Sequence, residues 1–184
     1  MRIIAGEFRG RKILPPDNDA TRPITDRAKQ SVFDILSPLL EDAVVYDLFS
    51  GTGSMGLECL SRGSGKAVFF EQDRSALHRL HQNILDMSLT SRTQIIPGDL
   101  FKWFEKNSPN SPADLVFLDP PYRFLTEQPE KLQSLAESWG RGFVSPNATV
   151  IFRHDTADQL TLPQLHLYDQ RNYGSMAVEF LRFS

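Results

Sequence analysis

Five short apolar runs, each closed by turn residues and separated by segments of helical spacing, constrain this chain most. Residues 44–49, 66–71, 93–96, 115–118 and 149–152 read as strands. Residues 54–62, 74–87, 100–106 and 128–138 read as helices between them. Strands alternating with helices mean βαβ units, so the expected fold is α/β with a mostly parallel sheet. The last 20 residues break the pattern: 166–171 and 176–182 flank Asn172-Tyr173-Gly174-Ser175 and predict an antiparallel hairpin. Residues 1–20 predict a small β element around Gly6 and Gly10, followed by a helix capped by Thr25 or Asp26 and running to about Leu36. Its apolar face would carry Ala28, Val32, Ile35 and Leu36. The expected boundary lies between Leu36 and Asp42, separating a basic extension, 1–40, from an α/β body, 41–184.

A length of 184 residues with 40% hydrophobic and 23% charged side chains fits one globular domain with its own core. The sequence has no apolar run of membrane-spanning length and no signal-peptide layout at Met1-Arg2-Ile3-Ile4, so no membrane partner is expected. One cysteine, Cys59, excludes an intrachain disulfide and a cysteine-built zinc site. A reducing cytoplasm is the expected location and a monomer the expected state. The net charge is -3, but residues 1–30 alone carry +3, leaving -6 on the remainder. A basic arm on an acidic body points to a local polyanion contact, with a solvated surface as the alternative.

The first strand runs into Asp47-Leu48-Phe49-Ser50-Gly51-Thr52-Gly53-Ser54-Met55-Gly56. Gly51, Gly53 and Gly56 make a G-x-G-x-x-G between strand and helix, which lets a ligand approach the backbone closely. Glu71, ending the second strand, is placed to accept hydrogen bonds from ribose hydroxyls. An adenosine-containing ligand follows. Asp47 would face a cationic end, which favours the ammonium and sulfonium of S-adenosylmethionine over a pyrophosphate. Phe49 in the loop and Leu100 after the third strand are further donor-site candidates. Asp99 is either an acceptor for an adenine amino group or the cap of the following helix.

Asp119-Pro120-Pro121-Tyr122 ends the fourth strand, where ligands bind in open α/β sheets. An exocyclic amino group is a poor nucleophile because its lone pair is delocalised. Two acceptors on its N–H groups favour a pyramidal nitrogen with the lone pair out of plane. The Asp119 carboxylate and the Pro120 carbonyl can supply them, and two prolines stiffen the turn. Tyr122 offers a face for base stacking. A plain turn after a buried strand is the alternative for these four residues in isolation.

With these motifs, the chain resembles the RsmD family of bacterial 16S rRNA guanine-N2 methyltransferases. The similarity extends from Arg2-Ile3-Ile4-Ala5-Gly6 and Arg9-Gly10-Arg11 through Thr21-Arg22-Pro23-Ile24-Thr25-Asp26-Arg27 to Asp47–Gly53, Asp119–Tyr122 and Tyr173-Gly174. Gln30 stands where a Glu is expected, and Ser50 and Thr52 replace the commoner Ala and Ser. The resemblance implies a Rossmann-like methyltransferase fold, S-adenosylmethionine as cofactor and 16S rRNA or the assembled 30S subunit as partner. It also implies that the first 30 or so residues contact rRNA and form a lid on the donor pocket. Arg9, Arg11, Lys12, Arg22, Arg27 and Arg123 are the candidate RNA contacts, with Phe124 at the same mouth. Asp119, Pro120 and Tyr122 are the candidate catalytic group; Asp47, Phe49, Gly51, Gly53, Glu71, Asp99 and Leu100 would bind the donor. No metal site is expected: His78 and His81 lack a partner at ligand spacing. The alternatives are an adenine-N6 DNA methyltransferase, a protein glutamine methyltransferase, an NAD-dependent dehydrogenase and a non-catalytic RNA-binding module.

Overall fold

The computed structural model describes residues 1–16 and 24–184. Five strands alternate with helices: β1 (Val44–Leu48), β2 (Lys66–Glu71), β3 (Thr93–Pro97), β4 (Ala113–Leu118) and β5 (Val144–Asp155). Two more, β6 (Leu165–Tyr173) and β7 (Met176–Phe183), form the terminal hairpin. The helices are α1 (Asp26–Leu36), α2 (Ser54–Ser61), α3 (Arg74–Asp86), α4 (Leu100–Lys106), α5 (Arg123–Glu127) and α6 (Pro129–Trp139). All seven strands join one sheet in the order β3-β2-β1-β4-β5-β7-β6. The first five are parallel, and β7 runs antiparallel to both of its neighbours. This is the mostly parallel sheet with an end hairpin that the residue pattern predicts.

Strand alternation sorts the core into two layers. Val45, Ala67, Phe69, Leu115, Phe117 and Ile151 face α1, α2 and α3. Tyr46, Val68, Phe70, Val116, Leu118 and Phe152 face α4, α5 and α6. Phe104 is buried on the second layer and Trp103 packs against it, which makes both core residues. β5 begins five residues before the predicted run because the ladder between β4 and β5 shifts register around Pro146 and Asn147, whose φ is +63°. The short α5 carries too few residues for helical periodicity to reveal it.

The N-terminal residues form a two-stranded ribbon: Ile3 N–H donates to Arg11 C=O at 2.9 Å and Ile13 N–H to Met1 C=O at 3.1 Å. Ile3 and Ile13 are buried with Val32, Phe33 and Leu36 of α1 in the same layer as Phe69 and Leu60. Thr25 caps α1, its hydroxyl accepting from Ala28 N–H. At the ribbon's turn Gly6 has φ of +84°, and a Cβ there would lie 1.8 Å from the Ser61 carbonyl oxygen. Only glycine allows that approach, which lets Glu7 N–H donate to Ser61 C=O at 2.7 Å.

A buried carboxylate ties these pieces together. Glu58 of α2 is fully buried and accepts from Ile4 N–H at 2.9 Å and Ala5 N–H at 3.0 Å. It also pairs with Lys29 at 3.0 Å and Arg62 at 2.8 Å. Lys29, 2% exposed, donates on to the Arg2 carbonyl and the Ser54 hydroxyl. Burial pulls the Lys29 ammonium below its ordinary range, and Glu58 opposes that. Gln30 accepts from Arg62 at 3.3 Å, so a neutral amide meets that guanidinium where a carboxylate was expected.

Removing one member of a buried ion pair leaves the other uncompensated, at a cost of about 3–5 kcal/mol. Glu58→Gln is expected to lower urea-unfolding stability by about that much. Lys29→Met added to it should cost less than the two single losses summed; strictly additive losses would mean the pair is not coupled.

Candidate active-site cleft

β1, β2, β4 and β5 all end at one edge of the sheet. From β1 the chain leaves to the α2 layer, and from β4 to the α5–α6 layer. β1 and β4 are neighbours, so this is the point where a crevice opens between diverging connections. A cavity of about 610 Å³ lies there. Its walls include Asp47 near the end of β1 with Phe49 and Gly51 after it, Glu71 at the end of β2, Asp99 and Leu100 after β3, and the whole Asp119–Tyr122 segment after β4.

The glycine loop is held by its own backbone and by Glu71. Glu71 Oε2 accepts from Gly51 N–H at 2.7 Å, and Oε1 accepts from Gln72 and Asp73 N–H at 2.8 Å each. Phe49 sits at φ +59°, a left-handed conformation uncommon for an aromatic residue and characteristic of functional loops. Its ring packs on Phe101 (6.1 Å) and Phe124 (5.6 Å), which stack on each other at 5.8 Å. These three rings make an apolar wall of the cavity. Nothing local in the sequence marks Phe101, and Phe124, expected at the RNA mouth, belongs to this wall.

Gly53 is not among the residues on the cavity wall. It caps α2 at φ +86°, and a Cβ there would come within 2.5 Å of Leu80. Its part is therefore to let α2 start tightly against the sheet. Asp99 caps α4, its Oδ1 accepting from Phe101 N–H at 2.9 Å and Lys102 N–H at 3.3 Å, while also lining the cavity. The two readings of Asp99 are compatible in one position.

Asp47 is 3% exposed and accepts from Gly56 N–H at 2.9 Å. Burial, with Asp119 and Glu71 nearby, pushes its carboxyl up to about 8, against the opposing effects of the Gly56 N–H and Lys29. An acid held neutral by lack of a counter-charge is a socket for a cation.

Asp119 emerges beside it on the neighbouring strand. Its carboxyl is raised by burial, an effect that Arg153 opposes. Arg153 Nε donates to Asp119 Oδ1 at 2.7 Å. Neither local motif nor spacing announced Arg153, because it lies 34 positions away and meets Asp119 only through the β4–β5 register. The Pro121 and Tyr122 carbonyls accept from Phe124 and Leu125 N–H and start α5. Among the described residues, none donates to the Pro120 carbonyl.

The basic residues divide. Arg27 and Arg123 are exposed, Arg123 directly follows the Asp119–Tyr122 segment, and Arg27 lies on the first turn of α1. Arg9 and Arg11 sit at the far end of the ribbon: Glu7 pairs with Ser61 at the end of α2, and Arg11 reaches the Asp86 carbonyl at the end of α3. That places them about 12 Å or more, the length of α2, from the cavity edge. Lys12 is exposed on the ribbon opposite Arg2. Arg22 lies outside the described residues. Cys59 is buried and free. Among the described residues, no three His, Cys, Asp or Glu are grouped to hold a metal ion, and no helix is long and apolar enough to cross a membrane.

A family model described as "Conserved hypothetical protein 95" matches residues 1–182. Ribosomal RNA small subunit methyltransferase D of Escherichia coli (strain K12) is 35% identical over 123 residues, covering 67% of this chain and 61% of that protein. Its Haemophilus influenzae (strain Rd) counterpart is 34% identical over 166 residues, covering 89% and 83%. The chain thus spans under two thirds of the E. coli relative and more of the other. The solved structure of "Putative methyltransferase yhhF from Escherichia coli" superposes with a TM-score of 0.87 at 28% identity, covering 100% of this chain and 98% of that one. The fold is the Rossmann-like fold of S-adenosylmethionine-dependent methyltransferases, and the chain belongs to the RsmD family.

Proposed function

We propose that this chain is an rRNA methyltransferase that uses S-adenosylmethionine to methylate the exocyclic N2 amino group of a guanine in 16S rRNA on the assembled small subunit. One observation carries the reading: the acid-lined glycine loop and the Asp119–Tyr122 segment open on a single cavity. The choice of small-subunit rRNA and of guanine rests on family membership. The cavity is formed within one chain, in keeping with a monomer, and an rRNA substrate implies a cytoplasmic location.

The residues present fit the donor. Asp47 is a buried acid without a full counter-charge, suited to a cationic group; a pyrophosphate offers it no positive charge to pair with, which weighs against a dehydrogenase. Glu71 has its carboxylate at the rim for ribose hydroxyls, and Phe49, Phe101 and Phe124 offer an apolar wall for a planar base. Gly51 and Leu100 complete that side, with Asp99 as acceptor for the adenine amino group. When bound, the donor supplies a methyl group already activated on a sulfonium. The protein is left with orientation more than strong acid–base work.

On the acceptor side, Asp119 and the Pro120 carbonyl accept the two amino N–H groups. Both are fixed before substrate arrives, because two prolines and the start of α5 set the turn. Tyr122 stacks on the base, a contact of about 1–3 kcal/mol. Arg27 and Arg123 lie nearest for RNA phosphates, and Arg9, Arg11, Lys12 and Arg22 extend the contact along the arm. The 1–40 segment would also act as the donor-pocket lid, since Met1, Pro16 and Ile24 line the cavity.

Two outcomes follow. Asp119→Ala should keep donor binding and lose most turnover, about 100-fold or more for a preorganised acceptor aimed at the reacting group. Full turnover in a methyl-transfer assay would remove Asp119 from the mechanism. Asp47 is largely neutral near pH 7 when no cation is present, and a bound cation favours its ionised form. Donor binding should therefore release a proton, and affinity should rise from pH 6 to pH 8 and then level. The same raised carboxyl makes the donor-free fold lose stability as pH rises from about 4 to about 8. Asp47→Asn should flatten both profiles and weaken binding about tenfold or more at pH 8.5. Calorimetry in buffers of different ionisation enthalpy measures this; equal proton release by both proteins would contradict it.

A further inference from the structure

We propose that Arg153 is the positioning residue of the acceptor site: its guanidinium holds Asp119 in one orientation as a carboxylate, leaving Oδ2 to accept the N–H of the incoming amino group. The inference deepens, and rests on, the amino-methyltransferase reading above.

Sheet register makes the pair. Leu118 lies opposite Phe152 on parallel strands, so Asp119 and Arg153 follow side by side on the same face as Phe117 and Ile151. Nε approaches Oδ1 at 2.7 Å, a charge-assisted distance. The pair is mostly sheltered, with Arg153 14% and Asp119 29% exposed. A void of about 20 Å³ beneath it is walled by Ile24, Val32, Met55, Phe117, Ile151 and Val178. Such apolar surroundings strengthen the attraction and make an unpaired carboxylate costly. Among the described residues, none donates to Asp119 Oδ2. Asp119 lines the cavity, and among the described residues Oδ1 is occupied while Oδ2 has no donor.

The charges around Asp119 show why a cation is needed there. Asp119 and Glu71 of β2 both raise the carboxyl of Asp47 on β1, which puts the three acids at one place. Lys29 of α1 is committed to Glu58, and α2 contributes Ser54 and Met55 but no ionisable group to the cavity. Arg153 of β5 is the cation in direct contact. Without it, a sheltered acid beside another acid would take up a proton. A protonated carboxyl turns one of its oxygens into a donor and loses the acceptor role. A guanidinium stays charged across the working range of pH.

The test follows Asp119 itself. Carboxyl-13C-labelled aspartate gives its titration by NMR, assigned by the signal lost in Asp119→Asn. In Arg153→Gln the Asp119 midpoint should move up by about one to three pH units, and Arg153→Lys should recover most of that. Turnover of Arg153→Gln near pH 7 should fall about tenfold or more, with the acid limb of its pH profile moved by the same amount. Donor affinity should hold, which confirms folding. An Asp119 midpoint unmoved in Arg153→Gln overturns the proposal. A moved midpoint with no methyl transfer to RNA by the unaltered protein would instead uphold the pair and overturn the activity reading.

Discussion

The buried Glu58 carboxylate organises this molecule. Four donors converge on it: two backbone N–H groups of the N-terminal ribbon, Lys29 of α1 and Arg62 of its own helix. A fully buried carboxylate is tolerable only with such partners. It therefore fixes how the ribbon and α1 lie against α2. Because α2 begins at the glycine loop, the same contact fixes the loop's far support. Lys29 extends the link to Ser54 at the start of α2 and contributes to the field on Asp47. Docking of the arm and the charge state of the cleft thus share one cation.

The cleft concentrates acids. Asp47, Glu71, Asp99 and Asp119 all line it, and strand alternation places Asp47 and Asp119 on one face at neighbouring strand ends. Like charges this close cannot all ionise without a counter-charge. The structure handles each differently. Glu71 accepts from three backbone N–H groups and keeps acceptor capacity to spare, and Asp99 caps a helix. Arg153 neutralises Asp119, leaving Asp47 raised and in need of a cation. The aromatic wall of Phe49, Phe101 and Phe124 adds an apolar surface to the same cavity. A ligand with a planar base at one end and positive charge at the other matches both.

Much of this was legible in the residues. Short apolar runs and helical spacing set the strands and most helices, because β1, β2 and β4 are buried on both faces and read as continuous apolar segments. The glycine loop, Asp47, Glu71 and the Asp119–Tyr122 segment are local signals, and all but Gly53 and Gly56 reach the cavity wall. What the sequence hid depends on register and packing. Arg153 meets Asp119 only across two strands. Nothing local in the sequence marks Glu58 and Lys29 as a buried pair; that depends on the ribbon and α1 packing on α2. Gly53 shares its pattern with ligand-contacting glycines, but its left-handed φ and the Leu80 side chain show a packing role. The basic arm read as one patch; folding sends Arg9 and Arg11 to the far end of α2 and α3, away from Arg27 and Arg123.

The central claim is that one cleft delivers a methyl group to an exocyclic amino nitrogen of RNA. Product identification tests it most directly: labelled S-adenosylmethionine is offered with undermethylated small subunits, naked 16S rRNA and DNA, followed by nucleoside mass spectrometry. The account predicts label in N2-methylguanine from RNA, greatest on the assembled subunit. Label in N6-methyladenine from DNA, or none in any RNA nucleoside, would contradict it.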